Sequence, residues 1–399
     1  AMLGREEIFQ KSGMYLSSQA SGPKVVWIKN HESEVFQKTR WFLTSQAYLV
    51  YKLTDHATID MYTACCGYAP FFDRDYLCWR EDLDRSISPL DYLPQTYWSC
   101  DIAGTVTDRA SRETGLVSGT PVIVGTTDAA AEAMSAGMRE FNDMMLMFGS
   151  SIFFIVKTAN PINTRHFWSA PFLERGTYSF LGGMSTAGSL TTWFRDEFAH
   201  SEVEQEKSEG VTAYNMLAKM AAQSPPGAGG LIVLPYFEGE RTPLNDPQAK
   251  GVFFGLSLRH TRSDIYRALL EGVGFGIRHN LEVMDEERVI PKRILATGGG
   301  TKNDLWMQIV SDITQMELAI PDQQIGASYG DAFMAGVGIG LFKSLAEVDR
   351  WVKIKKTVQP KLEGYEKYTF NYRLFRLLYE STKPLMHELA DSLINQEYQ

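Results

Sequence analysis

Three consecutive glycines, Gly298-Gly299-Gly300, stand between an apolar run at residues 294–296 and a helical pattern over residues 303–316. A strand that feeds a helix through so short a turn constrains the chain to an α/β arrangement, because each such unit buries its apolar face only against a sheet covered by helices. The glycines also let a backbone come close to a flat base or a phosphate, with no Cβ in the way. A structural turn explains the run equally well at this stage.

The alternation continues on both sides. Residues 230–235 read as a buried strand after the breaker Ser224-Pro225-Pro226-Gly227, and residues 264–284 read as a long helix. A short strand at 318–320 and a Gly/Ala-rich helix over 329–340 follow. Upstream, residues 24–53 carry apolar and aromatic positions at helical spacing, and 56–100 read as short helices and loops. Strands are predicted at 104–106 and 121–125 around a helix at 108–115. Residues 129–137 form a small-residue helix. Apolar runs at 144–148 and 152–156, joined by Gly149-Ser150-Ser151, read as a β-hairpin. A chain of 399 residues is too long for one ordinary core. Two domains are expected, 1–140 and 141–399.

Several residues could carry chemistry. Asp128, in Gly125-Thr126-Thr127-Asp128, falls between a strand and a helix, where it serves either as a helix N-cap or as a carboxylate facing a cleft. The turn Gly149-Ser150-Ser151 supplies two hydroxyls and closely spaced N–H groups suited to a phosphate oxygen, although such turns also occur as plain turns. Glu240 and Arg241, in the loop Gly239-Glu240-Arg241-Thr242-Pro243, read either as a domain-closing ion pair or as a substrate contact. The seven histidines show no i, i+4 pair or cluster suited to a metal.

Other classes are excluded by pattern. The glycine run matches neither a Walker loop nor the dinucleotide fingerprint. A net charge of −9 gives no general attraction for nucleic acid or anionic lipid. No apolar run approaches the roughly 18 residues of a membrane span. The first residues lack a basic stretch followed by an apolar one, so a cytoplasmic protein is expected. The four cysteines lack paired zinc spacing and read as reduced thiols.

Five blocks, GTTDAAAEAMSAG, MMLMFGSS, GLIVLPYFEGERTP, GVFFGLSLRHTRSDIYRALLEGV and ATGGGTKNDLWMQIVSDI, occur in the order and spacing of the FGGY carbohydrate kinases, which the chain resembles over about residues 15–345. Within the fourth block, Gly251, Phe253, Gly255, Leu256, Asp264, Ile265, Ala268 and Glu271 match that family's C-terminal signature. The xylulose kinase branch is the most similar. The resemblance implies an actin-like ATPase (ribonuclease H-like) two-domain fold around a deep cleft, and ATP-dependent transfer of phosphate to a terminal hydroxyl of a ketopentose such as D-xylulose. Another sugar (ribulose, gluconate or glycerol) and a non-catalytic binding relative remain alternatives. It further implies ATP and Mg2+ as cofactors, Asp128 as catalytic base, and Gly149, Ser150, Ser151, Gly298, Gly299, Gly300 and Asn303 as nucleotide contacts. Gln19, Thr127 and Asp128 are the implied sugar contacts.

The sequence departs from the family in one respect: no Asp-x-Gly-Thr phosphate loop stands upstream of Asp128. Roughly 100 residues of the first domain, about one small domain, are therefore expected to be missing. Unpaired strand edges should then leave residues 1–138 poorly ordered or covered by a second copy, a homodimer being the expected assembly.

Overall fold

The structure, a computed structural model, describes residues 4–16, 20–83, 90–323 and 325–397. The chain divides into two compact units. The first comprises Ala1–Asp143, Ile155–Leu181 and Gln323–Lys353, and the second Met144–Phe154, Gly182–Asp322 and Ile354–Gln399.

The first unit is built from short elements. Helices Ser21–His31, Ser33–Lys38 and Ser45–Thr54 lead to the strand Thr58–Asp60, which pairs in parallel with Gln95–Tyr97. Ile102–Thr105 pairs antiparallel with Pro121–Ile123. These short strands are held mainly by packing: Val50, Ala103 and Val124 form a buried cluster covered by Tyr97 and Val122. The helix Asp128–Ser135 packs on Ala327–Gly338 so closely that a Cβ on Gly330 would meet the carbonyl of Ala131. Ser135 Oγ fixes that register, donating to Gly326 O at 2.6 Å and accepting from Gly330 N at 2.8 Å. Residues 20–83 and 90–138 form regular elements around a buried interior. Trp27, Val35, Tyr48 and Leu49 are exposed on its helices.

The second unit carries a sheet in which Ile354–Val358, Leu318–Pro321, Arg293–Thr297, Asp143–Phe148, Ile152–Thr158 and Tyr178–Met184 are successive neighbours. Arg293–Thr297 and Leu318–Pro321 run parallel, with Ile294 opposite Leu318. The intervening helix Asp304–Thr314 makes the crossover that a parallel pair needs. Tyr178 stands opposite Pro171 of the antiparallel strand Trp168–Pro171. The 25-residue helix Arg262–Glu286 is buried through its middle, from Tyr266 to Ile277. Its start is fixed by a capping box between Thr261 and Asp264. The last long element is the helix Tyr365–Glu397.

All four cysteines are free thiols. Among the described residues no helix is long and apolar enough to cross a membrane.

Candidate functional site

In the first unit the strand Pro121–Ile123 ends in a turn that delivers Asp128 to the first position of the helix Asp128–Ser135. The turn is held at its backbone: Val124 N donates to Asp101 O and Gly125 N to Ser99 O, each at 2.9 Å, while Gln46 Nε2 reaches Val124 O. Gly125 has φ +72, the left-handed conformation that glycine adopts without strain. The N-cap residue is Thr127, whose side chain makes no capping bond. Asp128 is therefore not the cap that local pattern allows. Its carboxylate is exposed, and among the described residues Oδ1 accepts from the adjacent Ala129 N, at 2.8 Å. A carboxylate held this loosely at a helix start is available to accept a proton from an incoming hydroxyl.

Beneath this turn lies Asp60, which sequence reasoning did not single out. It caps the helix Met61–Gly67 through Thr63 N, and the same Oδ2 accepts from Thr126 Oγ1 at 2.8 Å and Ser99 Oγ at 3.4 Å. Asp60 is fully buried, and burial pushes its carboxyl up to about 6 against those hydrogen bonds. The pattern Asp-x-x-Thr predicts the cap. Nothing local predicts the contact with Thr126, 66 positions away.

In the second unit the predicted hairpin forms, with Gly149 N donating to Ser151 O at 3.0 Å. The turn before the helix Gly188–Phe198 backs it. Ala187 N and Ser189 N donate to Ser150 O, Gly188 N donates to Gly149 O, and Ser189 Oγ donates to Ser150 O. The Ser150 carbonyl is thus saturated while its residue stays exposed. Gly298, at φ +88 and ψ 174, is in a conformation open essentially to glycine alone, and a Cβ there would stand 2.7 Å from Phe148 O. At Gly300 a Cβ would meet Phe148 Cβ at 2.8 Å and the Trp306 ring at 2.9 Å, whereas Gly299 faces open space. The structure thus brings Gly298 and Gly300 against Phe148, the residue that leads into Gly149-Ser150-Ser151. This cradle fits a phosphate-bearing nucleotide approaching backbone N–H groups. Asn303 is committed locally: its Oδ1 caps the helix Asp304–Thr314 through Trp306 N at 3.1 Å.

The loop at Glu240 and Arg241 sets both side chains against backbone: Glu240 Oε1 accepts from Ser185 N at 2.8 Å and Arg241 N at 2.7 Å, while Arg241 Nη2 donates to Met184 O at 2.7 Å. Burial pushes the Glu240 carboxyl up to about 8.

Gln19 lies outside the described residues. A pocket of about 460 Å³ on the first unit, lined by Trp41, Leu43, Thr44, Ser45, Tyr48 and Leu49, contains none of the predicted site residues. Among the described residues no three His, Cys, Asp or Glu side chains gather where a metal could be held.

The N-terminal and C-terminal domains of the FGGY family of carbohydrate kinases match residues 2–135 and 144–339. The chain is 30% identical over 375 residues to a xylulose kinase of Staphylococcus epidermidis, covering 92% of this chain and 72% of that protein. It is 29% identical over 375 residues to a xylulose kinase of Escherichia coli K12, covering 92% and 74%. The crystal structure of xylulose kinase from Rhodospirillum rubrum aligns with a TM-score of 0.88 at 32% identity, over 97% of this chain and 77% of that one. That likeness agrees with the actin-like α/β fold expected from the sequence. Matched in both of its domains, the chain belongs to the FGGY family of carbohydrate kinases, phosphotransferases that take ATP and a sugar as substrates.

Proposed function

We propose that the chain phosphorylates a ketopentose, D-xylulose, at its terminal hydroxyl, with Asp128 as the base. The observation that carries this reading is the state of Asp128: an exposed carboxylate with one local hydrogen bond among the described residues, on a turn braced from below by Thr126 and Asp60. In the reaction the sugar O–H bond breaks and its proton passes to Asp128, the freed oxygen bonds to the γ-phosphorus, and the bond to the ADP oxygen breaks. Asp128 then releases the proton to water. Phosphoryl transfer asks the protein chiefly for positioning and charge neutralisation, which this division of labour supplies.

In this reading Thr127, Asp128 and Gln19 contact the sugar, while Gly149, Ser150 and Ser151 contact the phosphates and the backbone of residues 298–300 the nucleoside. Asn303 belongs to the same set of nucleotide contacts, its Oδ1 also capping the helix that follows the glycine turn. Mg2+ is proposed to arrive on the ATP phosphates, the described residues offering no cluster of carboxylates for it, and to neutralise charge there. We further place the protein in the cytoplasm as a homodimer, with Trp27, Tyr48 and Leu49 as apolar surface for a second copy to cover.

The choice of D-xylulose follows the named activity of the relatives at 29–30% identity. Measuring ADP release with xylulose, ribulose, gluconate and glycerol tests it. The expected result is the highest kcat/KM with xylulose; equal or better turnover of another acceptor overturns the substrate, and turnover of none overturns catalysis by this chain.

A further inference from the structure

We propose that Glu240, Arg241 and Thr242 form a clamp that sets the geometry of the Ser150 hairpin for phosphate binding, with Glu240 and Arg241 as positioning residues. This rests on the reading of that hairpin as the site of the ATP phosphates.

The three side chains address four consecutive or adjoining backbone positions on the two strands behind the hairpin. Arg241 Nη2 donates to Ile152 O at 3.2 Å, the residue directly after Ser151, and to Met184 O at 2.7 Å. Glu240 Oε1 holds Ser185 N at 2.8 Å. Thr242 Oγ1 accepts from Gly183 N at 2.9 Å and donates to Asn280 Oδ1 at 2.8 Å, and Thr242 N donates to Gly183 O at 3.0 Å. Ser185 in turn precedes the residues whose N–H groups close on the hairpin carbonyls, Ala187 and Ser189 on Ser150 O and Gly188 on Gly149 O. Thr186 Oγ1, between them, is tied to Pro235 O.

The clamp is itself rigidly mounted. Glu240 and Asp246 exchange backbone hydrogen bonds, and Asp246 Oδ2 accepts from Tyr379 Oη at 2.7 Å and His387 Nε2 at 2.8 Å on the C-terminal helix. Asn280 is fixed by Nδ2 donating to Gly276 O at 2.9 Å. Glu240 is 4% exposed, and its Oε2 has no hydrogen-bond partner among the described residues. A buried carboxyl kept with one oxygen unsatisfied is costly. It is retained here where its other oxygen ties Ser185 N, beside the hairpin's backing turn, to Arg241 N in its own loop. A misplacement of about 1 Å from a residue away from the chemistry suffices to cost about a hundredfold in rate, which gives such a clamp its leverage.

The test uses the full chain and compares Glu240→Ala, Glu240→Gln and Ser150→Ala by ATP titration calorimetry and amide hydrogen exchange. Glu240→Ala is expected to weaken ATP about tenfold or more, whereas Glu240→Gln, whose amide oxygen accepts the same two N–H groups, stays within about threefold of wild type. Exchange at residues 149–151 and 185–189 should rise in Glu240→Ala while the strand Arg293–Thr297 keeps its protection. If Glu240→Ala fails to fold, Arg241→Lys, which keeps the charge and loses the fork that reaches Ile152 and Met184, gives the same comparison. Wild-type ATP affinity in Glu240→Ala, or a uniform loss of protection across the unit, overturns the clamp. Wild-type ATP affinity in Ser150→Ala overturns instead the hairpin reading beneath it.

Discussion

The turn that presents Asp128 and the hairpin that presents Ser150 are held in different ways. Around Asp128 the decisive bonds converge on one buried carboxylate: Thr126 and Ser99 hydroxyls and Thr63 N all reach Asp60 Oδ2. Around Ser150 the bonds are largely backbone to backbone, and the glycine turn is shaped by close approach, Gly298 and Gly300 leaving no room for a Cβ against Phe148. The Asp128 turn depends on the charge state and oxygen atoms of Asp60, and the glycine turn beside the hairpin on the absence of side chains. The Asp128 turn should therefore respond to polar substitution and pH, and the glycine turn to volume.

The largest effect separates the two directly. Gly298→Val places a β-branched residue at φ +88 with a Cβ 2.7 Å from Phe148 O. It should destabilise the chain by about 3 kcal/mol or more and abolish ATP binding, read by thermal unfolding and calorimetry. Gly299→Ala, whose Cβ meets nothing within 4 Å, should fold normally.

Next comes Asp60→Ala, which leaves the buried Thr126 and Ser99 hydroxyls without their acceptor. A loss of about 2–3 kcal/mol in unfolding free energy is expected, with a smaller loss for Asp60→Asn, which keeps an oxygen in place. Equal losses in the two variants would show that the carboxyl oxygen is not what holds the turn.

The pH response is smaller and has a definite sign. Burial raises both Asp60, to about 6, and Glu240, to about 8, so in each case the folded protein holds a proton that the unfolded chain releases. Their stability contributions are full below the ordinary carboxylate range and decline as pH rises, the Asp60 term levelling off above about 6 and the Glu240 term above about 8. Relative to Glu240→Gln, wild type should lose melting temperature steadily from about pH 5 to 8. A difference that is flat over this window contradicts the burial account.

The smallest effect is expected on the surface. Leu49 is 62% exposed, and Leu49→Ser should change monomer stability by less than about 0.5 kcal/mol. Light scattering on that variant tests the proposed dimer, since a surface covered by a second copy would show a shift toward monomer.

Much of this arrangement was legible in the sequence wherever a local rule determines the outcome. The hairpin at 144–156 follows from two apolar runs flanking Gly149-Ser150-Ser151, and the turn at Gly298 from glycines between a strand and a helix. What was not legible depends on distant partners. Asp60 reads locally as a cap, and its second role appears only when Thr126 is folded onto it. Glu240 and Arg241 suggest a pair because they are adjacent and opposite in charge, yet Arg241 binds the carbonyls of Ile152 and Met184 and Glu240 the N–H of Ser185, partners that lie far away in sequence. The strand Tyr178–Met184 is itself obscure in sequence because Gly182 and Gly183 interrupt it; they are there because Phe154 and Thr242 crowd one and the Ile152 carbonyl the other.

The central claim, that Asp128 is the base of the phosphoryl transfer, is tested most directly by steady-state ADP release with xylulose in Asp128→Asn, alongside ATP affinity. The account predicts a fall in kcat of about 10²–10⁴-fold, with ATP binding within about threefold of wild type, because the exposed carboxylate is removed while its braced turn stays in place. A variant that keeps kcat within a few-fold of wild type would contradict it.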